Sequence, residues 1–207
     1  MSTERPTYRH GDLRRSLIES GIVLARAGGP DAVVLREVTR RAGVSPNAAY
    51  RHFADRAALV QAVSDAAQGE AAAAMEAELA QLPQATDAAS ARQRLRAVGI
   101  GYLRFAHDEP GLFRAAFGVP GGLERAFVAE KAGPGGASPY ALLADVLDDL
   151  VRLGGLPADR RPGAEAAAWS AVHGLAMLVL EGPLHELDEE TRRMLGHRVV
   201  EMAVRGV

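Results

Sequence analysis

The sequence predicts an all-α protein of about nine helices, on three observations. Apolar residues recur at three- and four-residue spacing in nearly every segment, and no segment alternates as a half-buried strand would. Gly and Pro clusters separate these segments at helix-length intervals. Of the 207 residues, 48% are hydrophobic, which is enough to bury a core.

Capping and helix-breaking residues set the expected bounds of these helices. Asp12, Ser45 and Asp55 each stand where a side-chain oxygen can accept a hydrogen bond from a first helical turn. Ala-Gly-Gly-Pro at 27–30 ends the first helix, and 132–139 is the most flexible segment by composition. The expected helices cover about 13–26, 35–41, 45–53, 56–82, 92–107, 112–117, 140–153, 163–181 and 189–205.

Composition excludes several classes of protein and site. Cysteine is absent, which removes disulfides, thiolate zinc sites and cysteine nucleophiles. No run of about 18 apolar residues indicates a membrane span, and the polar residues 1–15 do not form a signal peptide. No nucleophile motif, phosphate loop or HExxH sequence appears. We therefore expect a cytoplasmic protein that is not an enzyme, with no metal and no cofactor.

Charge is distributed unevenly along the chain. Residues 1–60 hold ten Arg against six Asp and Glu, a net charge of +4, whereas the remainder carries −6. A basic N-terminal part beside an acidic body is typical of a phosphate-binding module joined to a second module. Chance fluctuation remains the alternative at this point.

The segment from Leu35 to Phe53 predicts two short helices joined by a sharp turn. Gly43 can adopt the positive φ of such a turn, Ser45 can cap the second helix, and Pro46 suits its first position. The residues expected to point inward are Val38, Val44, Ala49 and Phe53. Those left near the exposed N-terminal face of the second helix are Pro46, Asn47, Ala48, Tyr50 and Arg51.

This segment resembles the DNA-binding domain of the TetR family, whose turn and recognition helix read Gly-Val-Ser-x-x-x-x-Tyr-x-His/Tyr-Phe. The likeness covers about residues 8–60, including the entry at Tyr8–Arg14 and Leu59 of the next helix. Two positions depart from the family pattern. Thr39 replaces a common Ala and can bond its own helix, and Arg56 replaces a common Lys, which keeps the charge but changes the geometry.

The resemblance implies a set of residues that contact double-stranded DNA: Arg36, Arg40, Ser45, Pro46, Asn47, Ala48, Tyr50, Arg51, His52 and Arg56. Tyr50 and His52 resemble a phosphate-contacting pair, while Asn47 is the candidate for pairing with an adenine edge. The alternatives are packing for Tyr50, flanking Phe53 for His52, and local hydrogen bonding for Asn47. Arg36 and Arg40 alternatively form a solvated face. Arg9 and Arg14 are expected to reach phosphates through the N-terminal arm.

The rest of the chain resembles the ligand-binding domains of the same family. Trp169–Gly174 is similar to the Trp-x-x-x-His-Gly sequence of one C-terminal subgroup, and Phe105–Arg114 is similar to its paired segment. We expect a DNA-binding domain at 1–55 and an effector-binding and dimerisation domain at 56–207. Excess apolar surface on the last two helices predicts a homodimer through them, and the alternative is one thick monomer core.

A ligand pocket is expected among the helices that begin near 56, 92, 140 and 163. Its candidate lining residues are Met75, Tyr102, Phe105, Phe113, Phe117, Trp169, His173 and Met177, with ordinary core packing as the alternative for each. The predicted function is a repressor that leaves its operator when an unknown small molecule binds this pocket. The rival functions are an enzyme and a helical protein-interaction module that has lost DNA binding.

Overall fold

Helices form every regular element in the computed structural model, which describes residues 10–119 and 122–207. The predicted all-α class is confirmed. Short 3-10 turns connect some of the helices. The helices of this described part are α1 His10–Gly28, α2 Leu35–Arg41, α3 Pro46–Ala49, α4 Arg56–Leu79, α5 Ala88–Asp108, α6 Pro110–Phe117, α7 Pro139–Arg152, α8 Ala164–Leu180 and α9 Glu189–Gly206.

Two of the three predicted N-caps are confirmed. The Ser45 side chain accepts a hydrogen bond from the backbone N–H of Ala48 at 3.3 Å, and Asp55 accepts from Ala58 at 2.8 Å. The prediction for Asp12 is wrong, because α1 begins at His10 and places Asp12 inside the helix. His10 and Gly11 already belong to the helix, which therefore starts before the expected cap.

The largest differences from the expected helix bounds are at the end of the third helix and the start of the fifth. The third helix ends at Ala49 rather than near Phe53. The residues after it form hydrogen-bonded turns, one of them closed by the Phe53 N–H and the Ala49 carbonyl at 3.0 Å. The fifth begins at Ala88 rather than near residue 92. Its start is fixed by a capping box in which Asp87 accepts from Ser90 N–H and the Ser90 hydroxyl accepts from Asp87 N–H.

Helix α4 is the central element of the fold, packing against α1, α5, α6 and α7. Leu59, Val63 and Ala67, on its N-terminal half, are fully buried. A continuous cluster of buried side chains runs from α1 through α4 into the C-terminal helices. Helix α4 packs against α1 on one side of this cluster and against the C-terminal helices on the other. The cluster therefore does not test the expected domain boundary after residue 55, which stays a prediction.

Helix α1 packs directly against α6. A Cβ added at Gly111 would lie 2.4 Å from the carbonyl oxygen of Arg26, so only glycine permits this approach of the two backbones. The Arg26 guanidinium also pairs with Glu109 (2.8 Å), just before α6, and with Glu70 of α4 (2.7 Å). These half-exposed ion pairs orient the three helices more than they stabilise them.

Among the described helices, none combines the length and the apolar character required to cross a membrane.

Candidate DNA interface and ligand cavity

The turn between α2 and α3 depends on one glycine. Gly43 has a φ of 69°, in the left-handed region that favours glycine, and a Cβ there would meet nothing within 4 Å. Backbone conformation, rather than lack of space, therefore selects glycine. The turn is closed by a hydrogen bond from the Val44 N–H to the Thr39 carbonyl at 3.0 Å.

Buried side chains hold α3 across α2. Val38 and Ala49 are fully buried, Phe53 is 3% exposed, and Val44 is partly buried against them. The Arg14 guanidinium carbon lies 5.4 Å from the Phe53 ring centre, a cation–π contact that packs α1 onto the same cluster. This packing fixes which face of α3 is turned outward.

The departure at Thr39 has a local explanation. Its hydroxyl donates to the Arg36 carbonyl at 3.0 Å, and the side chain is almost completely buried. A buried hydroxyl bonded within its own helix leaves no unsatisfied polar group. Thr39 therefore fits its position without altering the helix.

The outward face of α3 and the following turn carries most of the sequence-predicted DNA-contacting residues. Pro46, Asn47 and Arg51 are exposed, Tyr50 is 55% exposed, and Ala48 is half-buried. The exposed Tyr50 therefore offers both its ring and its hydroxyl to a partner at this face. The residues brought together here can present an amide, a phenol and a guanidinium to a DNA groove.

The remaining predicted DNA contacts surround that face. Arg36 and Arg40 are exposed on α2, where Arg40 pairs with Glu37 at 2.8 Å. His52 is half-buried next to Phe53. Ser45 is exposed, but its hydroxyl is used as the cap of α3. Arg9 lies outside the described residues.

Arg56 has a structural role that the sequence did not indicate. Its guanidinium donates to the carbonyl oxygens of Val33 (2.9 Å) and Pro30 (3.0 Å), and lies 3.9 Å from a carboxylate oxygen of Asp31. It thereby holds the start of α4 against the loop that follows α1. A single ammonium on a flexible stem could not reach several carbonyls in this planar arrangement.

A cavity of about 550 Å³ lies among α4, α5, α6, α7, α8 and α9. Helix α9 was not expected to contribute, whereas α6 carries Phe113 and Phe117 of the expected lining. Five of the eight predicted lining residues lie around it: Met75, Tyr102, Phe117, Trp169 and His173. Its volume is within the range of cavities that hold drug-sized molecules.

Three predicted lining residues lie outside the cavity wall. Phe113 is completely buried behind it, with its ring centre 5.0 Å from that of Phe117 and 5.7 Å from that of His173. Phe105 packs against Phe113, and Met177 packs partly buried against the core one turn beyond His173. These side chains support the lining rings rather than facing the cavity.

A chain of hydrogen bonds connects three of the lining residues. The Trp169 Nε1–H donates to the Tyr102 hydroxyl at 3.0 Å, and that hydroxyl lies 2.8 Å from His173 Nδ1. The tyrosine oxygen accepts from tryptophan, and its own proton can be donated to Nδ1 when the proton of the neutral imidazole is on Nε2. Burial raises the pKa of Tyr102 and lowers the pKa of His173, so both groups favour their neutral forms.

A charged cluster at the cavity wall was not predicted from the sequence. Asp65 is 5% exposed and accepts from Arg125 at 2.6 Å and from Gln61 at 3.0 Å, while the Lys131 ammonium lies 3.9 Å from its other side. Lys131 lines the cavity, as do Gln61, Gln68 and Tyr140. One signal was available, because Lys131 is the only lysine of the chain and precedes the Gly- and Pro-rich segment.

Comparison with known proteins gives family matches at both ends of the chain. Residues 17–63 match the family described as bacterial regulatory proteins, tetR family, and residues 95–202 match the tetracyclin repressor-like C-terminal domain. A sequence comparison with curated proteins gives no match.

Several solved structures share the fold. A protein of unknown function from Rhodococcus sp. RHA1 is 25% identical, with a TM-score of 0.71 over 99% of both chains. A TetR variant from Acinetobacter baumannii AYE in complex with minocycline is 16% identical, with a TM-score of 0.65 over 97% of this chain and 96% of that one. RolR in complex with resorcinol is 18% identical, with a TM-score of 0.57 over 93% and 88%.

The C-terminal match alone covers more than half of the chain, and the N-terminal match includes the exposed helix and its turn. The chain therefore belongs to the TetR family of transcription regulators, with a DNA-binding and a ligand-binding domain, and is not an enzyme.

Proposed function

We propose that this regulator is a repressor that leaves its operator when a small molecule binds the cavity. The observation that carries the proposal is the pairing of an exposed α3 face with a cavity lined by α4, the helix that follows α3 in the chain. A ligand that prefers a different tilt of α4 shifts the population towards dimers that no longer fit the operator. Since the protein would act on a chromosome, we propose the bacterial cytoplasm as its location.

Two solved structures with this fold support binding of a small molecule at the cavity. One contains minocycline and the other resorcinol. We also propose membership of the Trp-x-x-x-His-Gly subgroup, which is supported by the shared hydrogen-bond chain of Trp169 and His173.

We propose that Asn47 on α3 contacts a base edge and that the residues around it contact phosphates. Asn47 would read a base edge, because its exposed amide at the N-terminal end of α3 can pair with adenine. Tyr50 and His52 would contact phosphates, with Arg36, Arg40 and Arg51 beside them. Arg56 would reach a phosphate only by giving up some of its carbonyl contacts, so we assign it to positioning α4.

A homodimer through α8 and α9 is proposed as the DNA-binding form. Leu178 on α8 and Met194 and Met202 on α9 are 45%, 49% and 60% exposed, which is unusual for large apolar side chains. A stripe of small residues on α8, including Ala167, Ala171 and Gly174, permits close approach of a second helix. Two copies of α3 about 34 Å apart would meet successive major grooves of DNA.

Selection from a pool of random-sequence duplexes tests the DNA-binding part of the proposal. We expect a palindromic site with half-sites about one helical turn apart, bound with an affinity that falls steeply with salt. Absence of any salt-dependent shift would favour a protein-interaction module that has lost DNA binding.

Two substitutions separate the proposed contacts on the selected site. Tyr50→Ala should weaken binding to all sequences uniformly, whereas Asn47→Ala should relax preference at one base position, by about 1–3 kcal/mol. Loss at a single base with Tyr50→Ala, or uniform weakening with Asn47→Ala, would contradict these assignments. Release of the operator is tested by adding candidate ligands to the complex, and an effector that saturates the cavity without changing operator affinity would refute it.

A further inference from the structure

We infer that the cavity binds an organic anion, with the acidic group on the Lys131 ammonium and an apolar body extending towards Met75. This inference rests on the proposed ligand-binding role of the cavity and names the chemical class of the ligand. It is carried by the burial of Lys131, by its lack of a hydrogen-bond acceptor, and by the polarity of the cavity wall.

Lys131 is the one charged side chain among the described residues that line the cavity. It is 7% exposed, yet no acceptor in the described part of the chain lies within hydrogen-bond distance of its ammonium. The 3.9 Å separation from Asp65 is an ion-pair distance rather than a hydrogen bond, so the N–H donors of the ammonium are available to a molecule in the cavity. A buried ammonium in this state is stabilised by an acceptor that carries negative charge.

The charge of Asp65 is largely compensated by groups other than Lys131. It lies 2.6 Å from Arg125 and accepts from the Gln61 amide, so one buried carboxylate faces two cations. Glu124 also acts on Lys131, but it is exposed and therefore screened by solvent. Burial lowers the pKa of Lys131 while Asp65 raises it, and a bound anion would add to the second effect.

The cavity wall changes from polar to apolar along α4. Gln61, Gln68 and Met75 succeed one another at seven-residue spacing, so they lie on one helix face and span about 21 Å. Lys131 adjoins the polar end through Asp65, four residues after Gln61. The apolar lining contributed by the other helices includes Leu95, Val98, Leu143, Val172, Val200 and Val204. This arrangement fits an elongated molecule with an acidic head.

Two fluorescent probes that share one ring system test the inference. Anilinonaphthalene sulfonate carries an anionic group, and phenylnaphthylamine has the same rings without it. Trp169 is the only tryptophan and lines the cavity, so a probe bound there must accept energy from it. We expect the sulfonate to bind the unaltered protein at least tenfold more tightly than the neutral probe.

Variants at the charged cluster should change this preference in opposite directions. Lys131→Met should reduce the ratio of the two affinities at least tenfold, Lys131→Arg should retain it, and Asp65→Asn should increase it. Arg152→Met, which removes an exposed cation from α7, is the matched control and should leave the ratio unchanged. Circular dichroism checks that each variant is folded.

A competition experiment on the unaltered protein removes any dependence on variant folding. Decanoate should displace the sulfonate probe at least tenfold better than decanol, because the two differ only in the acidic group. An unchanged ratio in folded Lys131→Met, equal displacement by acid and alcohol, or absence of energy transfer from Trp169 would each overturn the inference. None of these measurements contains DNA, so their failure leaves the operator assay as a separate test of the proposed function.

Discussion

Replacing Gly43 by alanine should show how far DNA binding depends on the orientation of α3, separately from the stability of the whole chain. Gly43 adopts a φ of 69° with open space around it, so the substitution strains the backbone without a steric clash. An L-residue in this conformation costs about 1–2 kcal/mol, of which roughly half is offset by the lower entropy of the unfolded alanine chain. The net cost is about 1 kcal/mol per chain.

Part of that strain can be relieved by moving α3 away from its native orientation. Restoring the native turn on DNA would then cost up to about 1 kcal/mol in each subunit, or about thirtyfold in affinity for a dimer that uses both copies. We expect Gly43→Ala to weaken operator binding by about tenfold to thirtyfold in fluorescence anisotropy titrations with the selected duplex.

Gly154→Ala provides the matched control. Gly154 has a φ of 72° and equally open surroundings, and it follows α7, far along the chain from the α2–α3 turn. Urea denaturation should show a loss of stability of about 1 kcal/mol for Gly154→Ala and a smaller loss for Gly43→Ala, because strain relieved by movement of α3 no longer destabilises the free protein. Gly154→Ala should bind DNA as the unaltered protein does. Equal effects of the two substitutions on DNA affinity, or none from Gly43→Ala, would refute the link between this turn and recognition.

Three further substitutions have outcomes that follow from the contacts described. Arg56→Met should lower the free energy of unfolding by about 1 kcal/mol in urea denaturation, because it leaves loop carbonyls without their half-exposed partner; an unchanged value would mean that water replaces the guanidinium fully. Met202→Asp should shift the sedimentation coefficient from dimer to monomer, since a carboxylate would be placed in the proposed apolar interface; a persistent dimer would place the interface elsewhere. The lowered pKa of His173 means that the unfolded chain binds its proton more readily, so stability falls as pH drops below about 6.5. His173→Gln should reduce this dependence between about pH 5 and 7; a slope identical to that of the unaltered protein would contradict the assignment.

The structure of the segment from Leu35 to Phe53 could be predicted closely, because the residues that determine it act locally. Ser45, Pro46 and Gly43 each act within a few residues of their own position, through a cap, a fixed φ and a positive φ. The inward positions Val38, Ala49 and Phe53 follow from helical spacing, and all three are buried. The length of α3 was overestimated, because hydrogen-bonded turns after Ala49 keep the same compact spacing as a helix.

The cavity was predicted less completely, because its wall depends on contacts distant in sequence. Aromatic residues identified the right region, but their type does not show which face of a helix meets empty space. Phe113 and Phe117 lie four residues apart on α6, and only Phe117 lines the cavity. Lys131 and Asp65 are 66 positions apart, and neither shows in sequence that the other is near.

The position of Gly111 against the backbone of α1 has a mechanical consequence. Side chains between two helices normally absorb small movements by changing rotamer, but here the α6 backbone rests directly on the carbonyl groups of Ala25 and Arg26. Phe117 at the other end of α6 touches the space where a ligand would sit. If a ligand displaced that ring and α6 with it by even about half an ångström, no side chain between α6 and α1 could absorb the movement. The displacement would therefore pass directly to α1, which packs against α2 of the DNA-binding segment.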